Sequence, residues 1–292
     1  MNILITNLYL SDFCGSENWC YAVASELLRR GHNVYTYTPC YGKFFEEFEK
    51  IGVKKAISGK FDLILENHNV LDKNKFNGFI IHTCHGIINE ERPMSHVINV
   101  AVAQHVANKW NLTQIIPNGI DTKRFCIKNK PNKDLHKILS LCKSDTANDV
   151  LAEICKKTGI EFDYKYGKTI FHIENKINEA DLIVGVGRSL LDAMSCGRPV
   201  ISFDDRFYYK TRMMGYGYIT PNKFDKYIKD SWTGNAEQKT LTKLQLAKEI
   251  FNNYNPADGD VNRQFIIDNY NVSKTVDAYL KIYNENKNSA KC

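Results

Sequence analysis

Between Ala180 and Val200 the chain reads ADLIVGVGRSLLDAMSCGRPV, and the residue types there suit an anion. The apolar run Leu182–Val186 is broken by Gly185 and closed by Gly187. Arg188 and Ser189 then open a segment in which Leu190, Leu191 and Met194 recur at helical spacing. Gly197 reads as a helix stop, and Val200–Phe203 is apolar again. Strand, glycine turn, helix and strand make one unit of a parallel sheet covered by helices. A glycine turn at a helix start offers bare backbone N–H groups and the positive end of the helix to a phosphate. Arg188 adds a guanidinium that can hold phosphate with two parallel bonds, or can serve in an ion pair. Asp192 offers two acceptor oxygens for hydroxyl groups; its plainer reading is a solvated or capping carboxylate.

Two further places carry chemistry. His82-Thr83-Cys84-His85-Gly86 ends an apolar run, and the carboxyl ends of strands are where open α/β sheets bind ligands. The odd spacing of His82 and His85 puts them on opposite faces of a strand, so one of them serves a site. His85, beside a glycine, is the stronger candidate. Gly15-Ser16-Glu17 closes the first loop and starts a helix, where Glu17 is also a favourable charge. Asp258-Gly259-Asp260 has the spelling of a metal-binding pair but lies between predicted helices, where it reads as a turn and cap. No metal site is expected.

The elements that must position these residues follow from the whole chain. Its 292 residues, 43% hydrophobic and 25% charged, suit one large or two modest globular domains. No run reaches the roughly 18–20 apolar residues of a membrane span. The opening MNILITNLYL reads as a first strand, and nine cysteines without a CxxC pair fit reduced thiols in a cytoplasmic protein. A net charge of +6 mildly favours anionic partners. Strands are predicted at Asn2–Thr6, Val34–Thr38, Phe61–Glu66, Phe79–Thr83 and Val97–Ala103, alternating with a helix that follows the loop Asn7–Ser16 and runs to about Arg30, and a short one at Lys43–Lys50. Phe44, Phe45 and Phe48 of the second helix face the core or a surface groove. Pro117-Asn118-Gly119 is a turn by its chemistry and the best boundary between domains. After it, Ile138–Cys142, a helix over Val150–Thr158 and Ile160–Tyr166 lead to the glycine turn. Helices are predicted again over Leu241–Tyr254, Val261–Tyr270 and Val272–Glu285. Between them, Arg206–Trp232 interleaves aromatic and basic residues, a composition compatible with buried aromatics, a sugar chain, a lipid-phosphate surface or single-stranded nucleic acid.

Several stretches, in order, resemble the family 4 glycosyltransferases. GSENWCYAVASELLRRGHNVYTYT is similar to their first glycine loop and helix, and IHTCHGI to their strand-end histidine motif. VAVAQHVANKW with IIPNGIDTKRF matches the end of their first domain and the linker turn. VGVGRSLLDAMSCGRPVI matches their donor-site turn, and NVSKTVDAYLKIYNE their terminal helix. The resemblance implies an α/β protein of the GT-B fold: two Rossmann-like domains facing across a cleft, the second shortened. The domains would be 1–116 and 117–268, with 269–292 returning to the first and Pro117, Asn118 and Gly119 as hinge.

It further implies a retaining, metal-independent hexosyltransferase that moves sugar from a UDP- or GDP-linked donor to a hydroxyl acceptor on a glycan or glycoconjugate. No cofactor is implied. His85 would be the catalytic residue; Gly15, Ser16, Lys143, Gly185, Gly187, Arg188, Ser189 and Asp192 would hold the donor. The family pattern E-G-F-G-x-x-x-x-E-A-M is not kept: Val184 stands at the first glutamate and Asp192 at the second. Lys143 is the nearest match to the family's diphosphate arginine, and its lysine has none, so Arg188 is expected to take over that contact. Transfer to modified DNA bases, epimerisation of a nucleotide sugar, and binding without turnover remain alternatives. The basic and aromatic segment would make any membrane or nucleic-acid contact, with the protein in the cytoplasm or on the cytoplasmic membrane face.

Overall fold

The computed structural model describes residues 1–11, 15–167, 170–206, 211–234, 237 and 239–289. They form two compact units, one of Met1–Asp121 with Tyr270 onward, the other of Thr122–Asn269.

In the first unit, β1 (Asn2–Thr6), β2 (Tyr9–Leu10), α1 (Gly15–Arg29), β3 (Asn33–Tyr37), β4 (Cys40–Tyr41), α2 (Phe45–Lys50), β5 (Lys54–Lys55), β6 (Gly59–Asn67), β7 (Phe76–Cys84), β8 (Ile98–Ala101) and α3 (Gln104–Trp110) succeed one another. Six strands form one parallel sheet in the order β5-β3-β1-β6-β7-β8. Ile3, Leu4 and Ile5 are all buried, as a strand covered on both faces requires. Helix α1 buries Trp19, Cys20, Ala22, Val23 and Leu27. Phe44, Phe45 and Phe48 are core residues packed with Tyr21 of α1, so they line no surface groove.

The second unit runs β9 (Lys137–Ser140), α4 (Asp145–Thr158), β10 (Glu161–Tyr164), α5 (Ile173–Glu179), β11 (Leu182–Gly185), α6 (Arg188–Ser195), β12 (Val200–Asp204), β13 (Met214–Tyr218), α7 (Phe224–Ile228), α8 (Lys243–Asn253) and α9 (Asp258–Tyr270). Its sheet order is β10-β9-β11-β12-β13, with β13 alone antiparallel to its neighbour. Local chemistry sets the helix ends. Ser144 caps α4 by accepting the Ala147 N–H, and Gly159 ends it at φ +73°. Thr242 and Gln245 form a reciprocal capping box on α8. Asp181, just before β11, accepts the backbone N–H groups of Asn132, His136 and Lys137 and so ties the entry of β9 to that of β11.

The last helix, α10 (Val272–Ser289), belongs to the first unit. Tyr279 is buried and its hydroxyl meets Thr83 at 2.9 Å, while Arg30 reaches Asp277 and Ser273. Pro117–Gly119 also lies in this unit. The Thr275 hydroxyl donates to the Pro117 carbonyl at 3.0 Å, and a Cβ on Gly119 would stand 2.6 Å from the Val272 Cα. Asp121 closes the segment by accepting two bonds from Arg29.

Asp258-Gly259-Asp260 forms the first turn of α9. Asp258 accepts from the Tyr218 hydroxyl and Asp260 pairs with Lys130. Among the described residues no group of His, Cys, Asp and Glu could hold a metal ion. Gly259 lies against α6: a Cβ there would meet the Gly197 carbonyl oxygen at 2.1 Å. Gly259→Ala is therefore expected to cost about 2–4 kcal/mol of stability, through backbone displacement that no rotamer can relieve. Urea unfolding should show the lower midpoint at an unchanged slope.

Candidate functional site

The turn between β11 and α6 is built from two glycines with different tasks. Gly187 adopts φ +63° and ψ −135°, a backbone region essentially closed to residues with a side chain. Gly185 is required by packing: a Cβ on it would lie 2.8 Å from the Ser189 Oγ. That hydroxyl donates to the Val186 carbonyl at 2.8 Å, so Ser189 closes the turn. Arg188 and Ser189 then open α6 with their backbone N–H groups at its positive end.

Asp192 lies one turn on and is 7% exposed. The Arg188 Nε stands 3.7 Å from its Oδ1, an i,i+4 pair beyond hydrogen-bond distance, and that oxygen accepts no hydrogen bond among the described residues. Burial pushes the Asp192 carboxyl above its ordinary value; the positive charges of Arg188, Arg124 and Lys165 pull the other way without overcoming it. Arg124 is held by Glu174 and stacks over Phe171. Lys143 follows β9; its backbone N–H donates to Asp204, which also receives Arg206 at 2.8 Å, and its side chain is exposed. Val184 is wholly buried among Ile138, Leu182, Ile201 and Phe203. It is a core strand residue. Only Val186 and Gly187 separate β11 from α6.

In the first unit, His85 is half-buried at the end of β7 among residues that the sequence pattern did not single out. Its Nε2 meets the Asn67 Oδ1 at 3.0 Å, and its backbone N–H donates to the Glu91 Oε2 at 2.9 Å. The other Glu91 oxygen pairs with the His68 Nε2 at 3.1 Å. Trp19 packs edge-on against His85, with ring centroids 5.1 Å apart, and the His68 ring lies nearly parallel to His85 at 6.1 Å. Bringing His68 there takes two consecutive left-handed residues, His68 at φ +64° and Asn69 at φ +56°. Such a pair is uncommon outside glycine and leaves no periodic trace in a sequence. His82 is fully buried against Glu66, which also accepts the Val70 N–H, so it serves the core. At the start of α1 the Ser16 hydroxyl donates to Glu17 at 3.0 Å, beside Gly15. Glu17 is buried and its charge reaches His68.

The aromatic and basic segment proves largely internal. Tyr216, Tyr218, Phe224, Tyr227 and Trp232 are buried, and Phe224, Trp232 and Phe265 pack together. Phe207–Lys210 lie outside the described residues. The described aromatics therefore supply no surface for a lipid or nucleic acid. Among the described cysteines, Cys20, Cys84, Cys142, Cys155 and Cys196 are buried and none is in a disulfide; Cys14 and Cys292 lie outside. Among the described residues no helix is long and apolar enough to cross a membrane.

No family model matches the chain, and no curated protein does. Solved structures match over nearly its whole length. A glycosyltransferase from Rickettsia africae is similar at 14% identity and a TM-score of 0.63, over 97% of this chain and 98% of that one. Anabaena HepE in complex with UDP is similar at 13% identity and 0.59, over 98% and 100%. An α-glucosyltransferase in complex with UDP and a 13-mer DNA containing a HMU base is similar at 8% and 0.53, over 97% and 99%. The chain has the GT-B fold of these proteins, built here from two α/β units with parallel sheets.

Glu91 carries a pH signature. Burial alone would raise its carboxyl; the His68 hydrogen bond, the positive charges of His85 and His68 and the His85 N–H outweigh it and bring the value down to about 2. For His68, burial opposes the charged form, but the Glu91 hydrogen bond and the charges of Glu91, Glu17 and Glu66 raise it above its ordinary value. A depressed carboxyl stabilises the fold fully above the unfolded value, and that contribution is lost as pH falls through the folded one. Stability should thus decline from about pH 4.5 toward pH 2. The raised His68 contributes below its unfolded value near 6.5 and loses this as pH rises through the folded value. Urea midpoints measured against pH should show both limbs, and Glu91→Gln should flatten both.

Proposed function

We propose that this chain is a glycosyltransferase that moves a sugar from a nucleotide-sugar donor to a hydroxyl acceptor. The observation that carries the reading is the turn at Gly187, where an arginine and a helix start stand beside a buried carboxylate. In the transfer, the C1–O bond to the diphosphate breaks with its electron pair on the departing phosphate oxygen. A bond forms from the acceptor oxygen to C1, and the hydroxyl proton passes to the departing phosphate or to an imidazole. The barrier lies in the charge that develops on the diphosphate, which fixed amide dipoles and a guanidinium stabilise without reorganising. Arg188 and the backbone N–H groups of Arg188 and Ser189 take that role here, with Gly185 and Gly187 allowing close approach. Lys143 is a second cation for the same phosphates. Asp192 accepts from the ribose hydroxyls; burial raises its carboxyl against the Arg188 charge, and hydroxyl donors from a bound ribose favour its ionised form. Gly15, Ser16 and His85 contact the sugar or the acceptor. Retention of configuration rests on the family resemblance.

UDP is the first nucleotide to test, because the HepE and α-glucosyltransferase structures contain it. The described aromatics of Arg206–Trp232 are buried and so add nothing in favour of a DNA acceptor. Incubation with UDP- and GDP-linked hexoses should release free nucleoside diphosphate slowly with one donor and rapidly once an acceptor is present. Interconversion of sugars would indicate an epimerase, and binding without turnover a non-catalytic protein. Arg188→Ala should weaken donor binding at least about tenfold, the loss expected for a charge-assisted phosphate contact, as read by titration calorimetry. Unchanged affinity would contradict the role given to Arg188.

A further inference from the structure

The contacts around His85 determine which of its nitrogens carries the proton. Asn67 is fully buried, and its Nδ2 donates to the Thr6 carbonyl at 2.9 Å. A backbone carbonyl only accepts, so the Asn67 amide cannot be flipped, and the atom facing His85 is its carbonyl oxygen Oδ1. An oxygen acceptor 3.0 Å from the His85 Nε2 requires that nitrogen to carry hydrogen. Asn67 is itself fixed from a third side, its backbone N–H reaching the Thr6 hydroxyl at 3.3 Å.

The backbone of His85 is held separately. Glu91 spans from the His85 N–H to His68 with its two oxygens. Asn69 donates to the Arg92 carbonyl at 2.9 Å, joining the turn after β6 to the segment that carries Glu91. Ring and main chain of His85 are therefore fixed by different residues, from the ends of β6 and from the loop after β7.

We propose that Asn67 and Glu91 are positioning residues that hold His85 with hydrogen on Nε2 and its main chain in place, the state in which it serves the transfer. This rests on the transferase reading. Asn67 selects the tautomer. Glu91 fixes the main chain from which the ring projects, and His68 supplies the charge that keeps Glu91 ionised in place. Neither positioning residue touches substrate.

Long-range ¹H–¹⁵N spectra of the histidine-labelled full chain test this directly, with His85→Gln assigning the signal. The wild type at neutral pH should show His85 with its proton on Nε2. Glu91→Gln, which keeps an acceptor for the His85 N–H but loses the charge, should fold, lower kcat about tenfold and leave the donor KM within about threefold, the pattern of a lost transition-state interaction. Asn67→Ala should show a mixture of tautomers; should it fail to fold, the wild-type spectrum still decides. A His85 proton on Nδ1 in the wild type overturns the proposal, as does a Glu91→Gln enzyme with unchanged kcat. A wild type with the Nε2–H signature that turns over no nucleotide sugar contradicts the transferase reading instead of the tautomer assignment.

Discussion

Gly187 holds a backbone conformation that a side chain would forbid, at the point where β11 passes into α6. The proposed chemistry of the second unit depends on it. With only Val186 and Gly187 between strand and helix, the chain must reverse within one residue of Arg188. The tight turn sets the start of α6 directly after the sheet edge. It brings Ser189 onto Gly185 and aligns Arg188 with Asp192 across one helical turn. Had the connection been longer, the arginine would have left the helix start, and Asp192 would have kept only the charges of Arg124 and Lys165. The helix is only eight residues long and is held behind by the contact of Gly197 with Gly259.

Charge in a low-dielectric setting links the two units in kind. Asp192 is buried with cations that do not fully offset its desolvation, a state that a ligand offering hydroxyl donors would relieve. Glu91 is buried too, but its partners overcome the same cost and hold it ionised. The first carboxyl is left with its burial uncompensated, whereas the second is a fixed part of the scaffold around His85. The same residue class at the same depth thus serves two ends, and hydrogen bonds decide which.

Much of this could be read from residues in order. The strand at Asn2–Thr6 is legible in full because a parallel strand is an unbroken apolar run, whereas α8 starts two residues after the predicted Leu241 because Thr242 and Gln245 cap it there. Helix α4 begins five residues before the predicted start, because Ser144 caps a first turn that is polar throughout. Strand β13 was missed: MGYGY alternates glycine with tyrosine and resembles a loop until Gly215 is seen to pack on the Ser202 backbone. That Gly185, Gly187, Arg188 and Asp192 share one turn is legible because their spacing is local. That Asn67, His68 and Glu91 share a site is not, because they meet only through two left-handed residues and a turn that closes across more than twenty positions. Val184 stands at the first glutamate of the family pattern with the spacing to Asp192 kept, and its burial in the core is a packing property that the apolar run Leu182–Val186 already implies.

The central claim is that a nucleoside diphosphate binds at the turn between β11 and α6. Amide resonances of Val186, Gly187, Arg188, Ser189 and Leu190 in the wild-type chain, recorded as UDP and then GDP are added, test it most directly. Binding at this turn should give saturable shifts concentrated on these five amides with one of the two nucleotides, and their loss in Arg188→Ala. Binding that perturbs other resonances and leaves these unmoved would contradict it.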